Sequence, residues 1–152
     1  MPGWISASNE LRRLLQAPKR QLADPALAAS VFNLSADALL DLAGVRMVGP
    51  LFESLVTLGV QVAAQSWETK VFHLRNNAGE HEIDLIVQGD GQVLAIEVKL
   101  AHSVSDTNVR YLLRLREQIP DRVADLVVVA TGTTAYRRRD GVAVIPLALL
   151  GP

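Results

Sequence analysis

Two stretches of alternating apolar and charged residues, Glu80–Val87 and Val93–Leu100, face each other across Gln88-Gly-Asp-Gly91. A short glycine-bearing link between two such runs folds them back as an antiparallel β-hairpin. Successive side chains on a strand point to opposite faces. Glu82 and Asp84 are therefore expected on one face of the first strand, and Glu97 and Lys99 on one face of the second. Ile83, Leu85 and Val87, with Leu94, Ile96, Val98 and Leu100, take the opposite, apolar faces. A hairpin that keeps its apolar side chains together must also gather these carboxylates and the lysine. Like charges packed together repel unless a cation lies among them. The pattern therefore reads as a metal site.

The rest of the chain supplies a frame for that hairpin. Ser8–Leu15 has a helix-start signature and helical apolar spacing, and Pro18 stops it. Lys19–Leu22 is short and reads as extended. Asp24-Pro25 opens a helix running to Phe32, and Ser35 caps another through Leu42 that ends near Gly44. A longer helix is expected from about Val48 to Gln65, with Pro50 in its first turn. Phe52, Leu55, Val56, Gly59, Val60 and Ala63 form its apolar stripe. Thr69–Arg75 reads as a strand, turned by Asn76–Gly79 into the hairpin. Ser105–Ile119 is an amphipathic helix, Asp125–Ala130 a strand buried on both faces, and Gly141–Pro146 a closing strand. The expected organisation is one compact α/β domain. Residues 1–45 form a helical segment packed on a core of residues 46–152.

Composition excludes several functions. With no cysteine among 152 residues there is no disulfide, no thiolate chemistry and no Cys-ligated zinc. A net charge of −1 provides no global field toward polyanions, so any nucleic-acid contact rests on local patches. The start Met-Pro-Gly-Trp-Ile-Ser lacks a basic region followed by an apolar run. The charge-free run Ser54–Trp67 is too short to span a bilayer. The expectation is a cytoplasmic protein with no membrane contact.

The order of elements and these residues resemble the restriction-endonuclease-like, or PD-(D/E)xK, phosphodiesterase fold. That fold has an α-β-β-β-α-β core, matched here with a small closing strand and short preceding helices. More narrowly, the chain is similar to the domain of unknown function, family 4143. The matching pieces are Lys19–Leu27, Gly49–Glu53, Arg75, Gly79-x-x-Glu-Ile-Asp84, Ala95–Lys99 and Val144–Pro146. The resemblance implies a metal-dependent nuclease domain acting on DNA or RNA, as the C-terminal part of, or a partner to, an AAA-type ATPase. The chain itself has no Gly-x-x-x-x-Gly-Lys-Ser/Thr, and Ile83 stands where the PD dipeptide has proline. In this fold a glutamate such as Glu53 can hold a metal-bound water or a second ion.

Phosphodiester hydrolysis needs a hard cation at the phosphoryl oxygen, a deprotonated water and relief for the leaving oxyanion. Magnesium, or manganese in its place, takes oxygen ligands and keeps several waters. Asp84 and Glu97 are the candidate ligands, with the Val98 carbonyl passing the same place, and Glu82 is an auxiliary acid. Lys99 is placed to orient water or offset charge at phosphorus. Arg75, Arg110 and Arg114 are candidate phosphate contacts, Arg75 equally placed to pair with the acids, and Arg137–Arg139 is a further basic loop. His73, His81 and His102 show no ligand spacing, and Trp4 and Trp67 read as packing anchors. The alternative is a catalytically inactive module for protein interaction or homo-oligomerisation, its charged pairs a solvated sheet face.

Overall fold

A computed structural model describes residues 1–4, 18–33, 35–41, 44–75 and 82–150. The helix expected over Ser8–Leu15, the Asn76–Gly79 turn and His81 lie outside the described residues. Helices α1 (Pro25–Val31), α2 (Ala36–Leu40) and α3 (Val45–Ser66) precede a mixed sheet of six strands. These are β1 (Lys70–Arg75), β2 (Glu82–Gly89), β3 (Gln92–Val98), β4 (Val123–Ala130), β5 (Tyr136–Arg137) and β6 (Ala143–Pro146). Helix α4 (Asp106–Gln118) carries the chain from β3 to β4. The strand order is β1-β2-β3-β4-β6-β5. The first three strands form an antiparallel meander, β4 and β6 continue it in parallel, and β5 closes the far edge antiparallel. The expected closing strand starts later, at Ala143, and β5 is an added sixth strand.

The β2–β3 hairpin turns where expected. Gly89 pairs with Gln92, and both residues between them adopt left-handed backbone, Asp90 at φ 49° and Gly91 at φ 77°. Two successive positive φ values make a type I′ turn, whose twist matches that of the flanking strands. Both faces of the sheet are buried, not one. Val93 and Ala95 pack beneath α4 with Leu126, Val128, Val109 and Leu112. Ile96 and Val98 pack on the other side with Leu85, Val127, Val129 and Val56 of α3. Leu100, expected on an apolar face, lies beyond the end of β3 and is 46% exposed.

Helix α3 begins three residues earlier than expected, so Pro50 lies inside it and removes the helical donor to the Arg46 carbonyl. Its N-cap is Gly44, which signals no start by side chain. A Cβ on Gly44 would stand 2.0 Å from the Ala38 carbonyl oxygen, so the approach of α2 requires glycine. The buried face of α3 carries Leu51, Ser54, Val56, Thr57 and Ala64, while Leu55, Gly59 and Ala63 of the expected stripe are exposed. At 22 residues, α3 is long and apolar enough to cross a bilayer by length and composition alone, unlike the shorter charge-free run within it. Here Val56 and Phe52 seat it on the sheet.

The two tryptophans differ. Trp4 is buried, donates from its indole N–H to Gln88 Oε1 at 2.9 Å, and fixes the N-terminal residues along the outer edge of β1. The Trp4 N–H donates to the His73 carbonyl and the His73 N–H to that of Pro2. Trp67 is 81% exposed and anchors nothing in the core. Leu126, at 1% exposure, is fully inside. Leu126→Ala should cost about 2–5 kcal/mol of stability in urea denaturation, whereas Leu100→Ala should stay within about 0.5 kcal/mol. Equal losses from both would contradict this placement of the core.

Candidate functional site

One extra residue in β2 builds the site. Across β1 and β2 the register runs Phe72↔Ile86 and Leu74↔Ile83, leaving Asp84 and Leu85 opposite His73 alone. This β-bulge breaks the simple alternation of faces. Ile83 joins Ile86 in the cluster beneath α4, while Leu85 joins the cluster beneath α3, so Ile83 and Leu85 do not share a face as expected. The ladder between β2 and β3 stops at Leu85↔Ile96. Past that point the Val98 N–H donates to Asp84 Oδ2 at 2.9 Å, a side chain standing in for a backbone partner. β3 meanwhile stays paired with β4 through Val98↔Val129, and the Lys99 N–H donates to the Val129 carbonyl at 2.9 Å. The two hairpin strands part at Asp84, and the gap is polar.

Asp84, Glu97 and Lys99 line one cavity of about 260 Å³ in that gap, with Glu82 at its side. Thr107, Asn108, Arg110 and Tyr111 of α4 form the opposite wall. Lys99 Nζ lies 2.6 Å from Glu97 Oε1. Glu97 is only 7% exposed, and burial, reinforced by the charge of Asp84, pushes its carboxyl up to about 7 against the pull of Lys99. Burial alone would lower Lys99, but its hydrogen bond to Glu97 and the surrounding acids raise it.

Lys19 is the residue that sequence reasoning did not place in the site. Its ammonium sits 2.8 Å from Glu53 Oε1, 2.8 Å from Glu82 Oε1 and 3.1 Å from Asp84 Oδ1. Burial works to lower its pKa, yet the charge of Asp84 and the bonds to Glu53 and Glu82 together raise it. The sequence signal for this role is its place in the Lys19–Leu27 stretch; its contacts to Glu82 and Asp84 span more than sixty residues. Gln21 adds a second tie, donating to Glu53 Oε1 at 2.9 Å and accepting from the Ser54 hydroxyl at 3.1 Å. Glu53 therefore approaches Asp84 through Lys19 and does not line the Asp84–Glu97 cavity.

The expected phosphate contacts separate. Arg110 lines the cavity, its guanidinium 4.4 Å above the Tyr111 ring. Arg114 lines an adjoining cavity of about 400 Å³ that shares Glu82 and Tyr111 with the first. Arg75 lies 3.7 Å from Glu82, an ion pair with one of the acids. Arg137 grips Asp125 with two nitrogens, and Arg138 binds Asp140 and Asp106, so this loop is held by its own ion pairs. His73 is buried, its Nδ1 3.1 Å from the Pro2 carbonyl, and burial lowers its pKa. His102 is exposed.

Among the described residues no three His, Cys, Asp or Glu side chains group around one point as ligands. Of the expected donors, Asp84 and Glu97 line the cavity, and Glu53 stands beside it. Glu53 is bonded to Lys19 and Gln21, and the Val98 N–H donates to Asp84. The Asp84–Glu97 pair shares the cavity, and a magnesium ion completed by waters and substrate phosphate needs no more than one or two carboxylates. On that count the residues fit the ion. The raised Glu97 pKa has a stability consequence. A carboxyl that binds its proton more tightly when folded favours the fold at acid pH, and that contribution is lost as pH rises from the ordinary 4.5 through about 7. The melting temperature of the parent relative to Glu97→Gln should therefore fall between those limits and level off by about pH 8. A difference that rises over that interval would contradict the assignment.

No curated protein matches this sequence. A family model described as Domain of unknown function (DUF4143) matches residues 48–150. The match takes in nearly all of α3, the whole sheet, and Glu53, Asp84, Glu97 and Lys99, and it leaves Lys19 outside. It spans more than half of the sequence, and the chain belongs to the DUF4143 family.

Proposed function

We propose that this domain is a metal-dependent nuclease that hydrolyses phosphodiester bonds of DNA or RNA in the cytoplasm, away from membrane, as part of or beside an AAA-type ATPase. The observation that carries the reading is the convergence of Asp84, Glu97 and Lys99 in one cavity where β2 and β3 part. The succession α3-β1-β2-β3-α4-β4 supports a restriction-endonuclease-like core. Magnesium or manganese, when bound, supplies Lewis-acid polarisation of the phosphoryl oxygen and a more acidic water.

The protein's own residues do the rest. Asp84 and Glu97 hold the cation, and Asp84 is oriented for it by the Val98 N–H. Lys99, braced by its backbone bond to β4, presents a fixed positive charge where negative charge grows on the phosphorus oxygens. Arg110, at the cavity wall, holds a neighbouring phosphate of the strand.

The second reading is a non-catalytic module that docks an ATPase or its own copies. Its support is the engagement of three acids by Lys19 within the protein itself, together with exposed Leu27, Val31 and Phe32 at α1.

Purified protein incubated with magnesium or manganese and plasmid, single-stranded DNA or RNA should cleave at least one of them. Lys99→Ala should lower that rate by roughly 10²–10³-fold, the usual cost of one electrostatic stabiliser. Cleavage of none of the substrates with either metal, while Lys99→Ala changes partner binding, favours the docking module. Millimolar magnesium should also raise the melting temperature, because a ion that binds only the folded form stabilises it. Asp84→Asn should abolish that rise, and an equal rise in the variant would place the ion elsewhere.

A further inference from the structure

We propose that Lys19 is a resident counter-cation of this site, holding Glu53, Glu82 and Asp84 until a divalent cation displaces its ammonium from Asp84. The inference rests on the reading of Asp84 and Glu97 as a cation-binding pair. An ammonium has three N–H donors. Lys19 directs them at three carboxylates from two elements, Glu53 on α3 and Glu82 and Asp84 on β2, at 2.8, 2.8 and 3.1 Å. This is how oxygen ligands surround an ion, with a tethered charge at the centre.

Asp84 is the residue the two arrangements have in common. Its Oδ2 accepts the Val98 N–H and its Oδ1 accepts Lys19. An ion joining Asp84 to Glu97 would bring a second positive charge within a few ångströms of the Lys19 ammonium at the same carboxylate. The Val98 amide carries no net charge and lies beside the β3–β4 ladder, whereas Lys19 brings a full charge from a segment outside any helix or strand. Pro18–Leu22 belongs to no helix or strand and is attached by polar bonds. The Lys19 N–H donates to the Met1 carbonyl, and Gln21 joins Glu53 and Ser54. Lys19 takes no part in either apolar cluster, so withdrawing its side chain from Asp84 leaves no hole in the core. Binding of a cation at Asp84 and retention of Lys19 there then oppose each other, and Lys19 sets the cation concentration at which the site fills.

The test is calorimetric titration of the full chain with manganese chloride. Removing a charge a few ångströms from the ligands should make Lys19→Met bind manganese about tenfold or more tightly than the parent. Lys19→Arg, which keeps the charge, should not tighten it. Acylation of the parent protein, read by mass spectrometry, should label Lys19 slowly without manganese and faster once it is saturating. This second measurement stands even if Lys19→Met does not fold. Equal or weaker manganese binding by folded Lys19→Met, no binding by either protein, or Lys19 labelling indifferent to manganese would overturn the inference. Tighter binding by Lys19→Met without any nucleic-acid cleavage keeps the counter-cation and removes the nuclease reading. Cleavage by the parent with unchanged affinity in Lys19→Met does the reverse.

Discussion

The bond from the Val98 N–H to Asp84 Oδ2 is the interaction on which the site depends. A buried backbone donor left without a partner costs about 1–3 kcal/mol. Strands that separate inside a sheet therefore need substitutes for the bonds they give up. Asp84 provides one at the point where the β2–β3 ladder ends. The bulge opposite His73 brings its side chain there, and the β3–β4 ladder keeps Glu97 and Lys99 in place on the other side. A polar cavity thus opens between two strands whose remaining residues pack in apolar clusters on both faces. Opening the sheet and orienting its acid are one structural event.

Charge balance explains the rest of the arrangement. Four carboxylates, Glu53, Glu82, Asp84 and Glu97, meet at this end of the sheet, and Lys19, Lys99 and Arg75 answer them. Lys19 bonds to three acids from a segment before the helices, whereas Lys99 bonds to Glu97 from the end of β3. Glu97 shows where compensation falls short, since burial and the Asp84 charge outweigh its bond to Lys99 and raise its pKa. A site with excess negative charge beside one fixed and one tethered ammonium suits a further cation or a cation with its phosphate, and the nuclease proposal draws on that balance.

The hairpin and its acids were legible in the sequence because turn chemistry and strand alternation are local. Asp90-Gly91 marked the turn, Glu97-x-Lys99 the motif, and Asp24 and Ser35 the caps of α1 and α2, which their side chains do make. The bulge was not legible, because an extra residue in β2 shows only against β1, and it moved Ile83 to the face opposite Leu85. The start of α3 was hidden because Gly44 caps without a side chain, its identity set by contact with Ala38. Trp67 and Leu100 look like core by hydrophobicity, yet each lies just past the end of its element and remains in solvent. Lys19 was least legible, since pairing across more than sixty residues leaves no periodic trace.

The most direct test of the central claim is a crystal structure grown with manganese, with anomalous diffraction to locate the metal. The account predicts a peak between the carboxylates of Asp84 and Glu97, Lys99 still against Glu97, and the Lys19 ammonium withdrawn from Asp84. A fully occupied crystal with its manganese elsewhere, or none at these acids and Lys19 still bridging Glu53, Glu82 and Asp84, would contradict it.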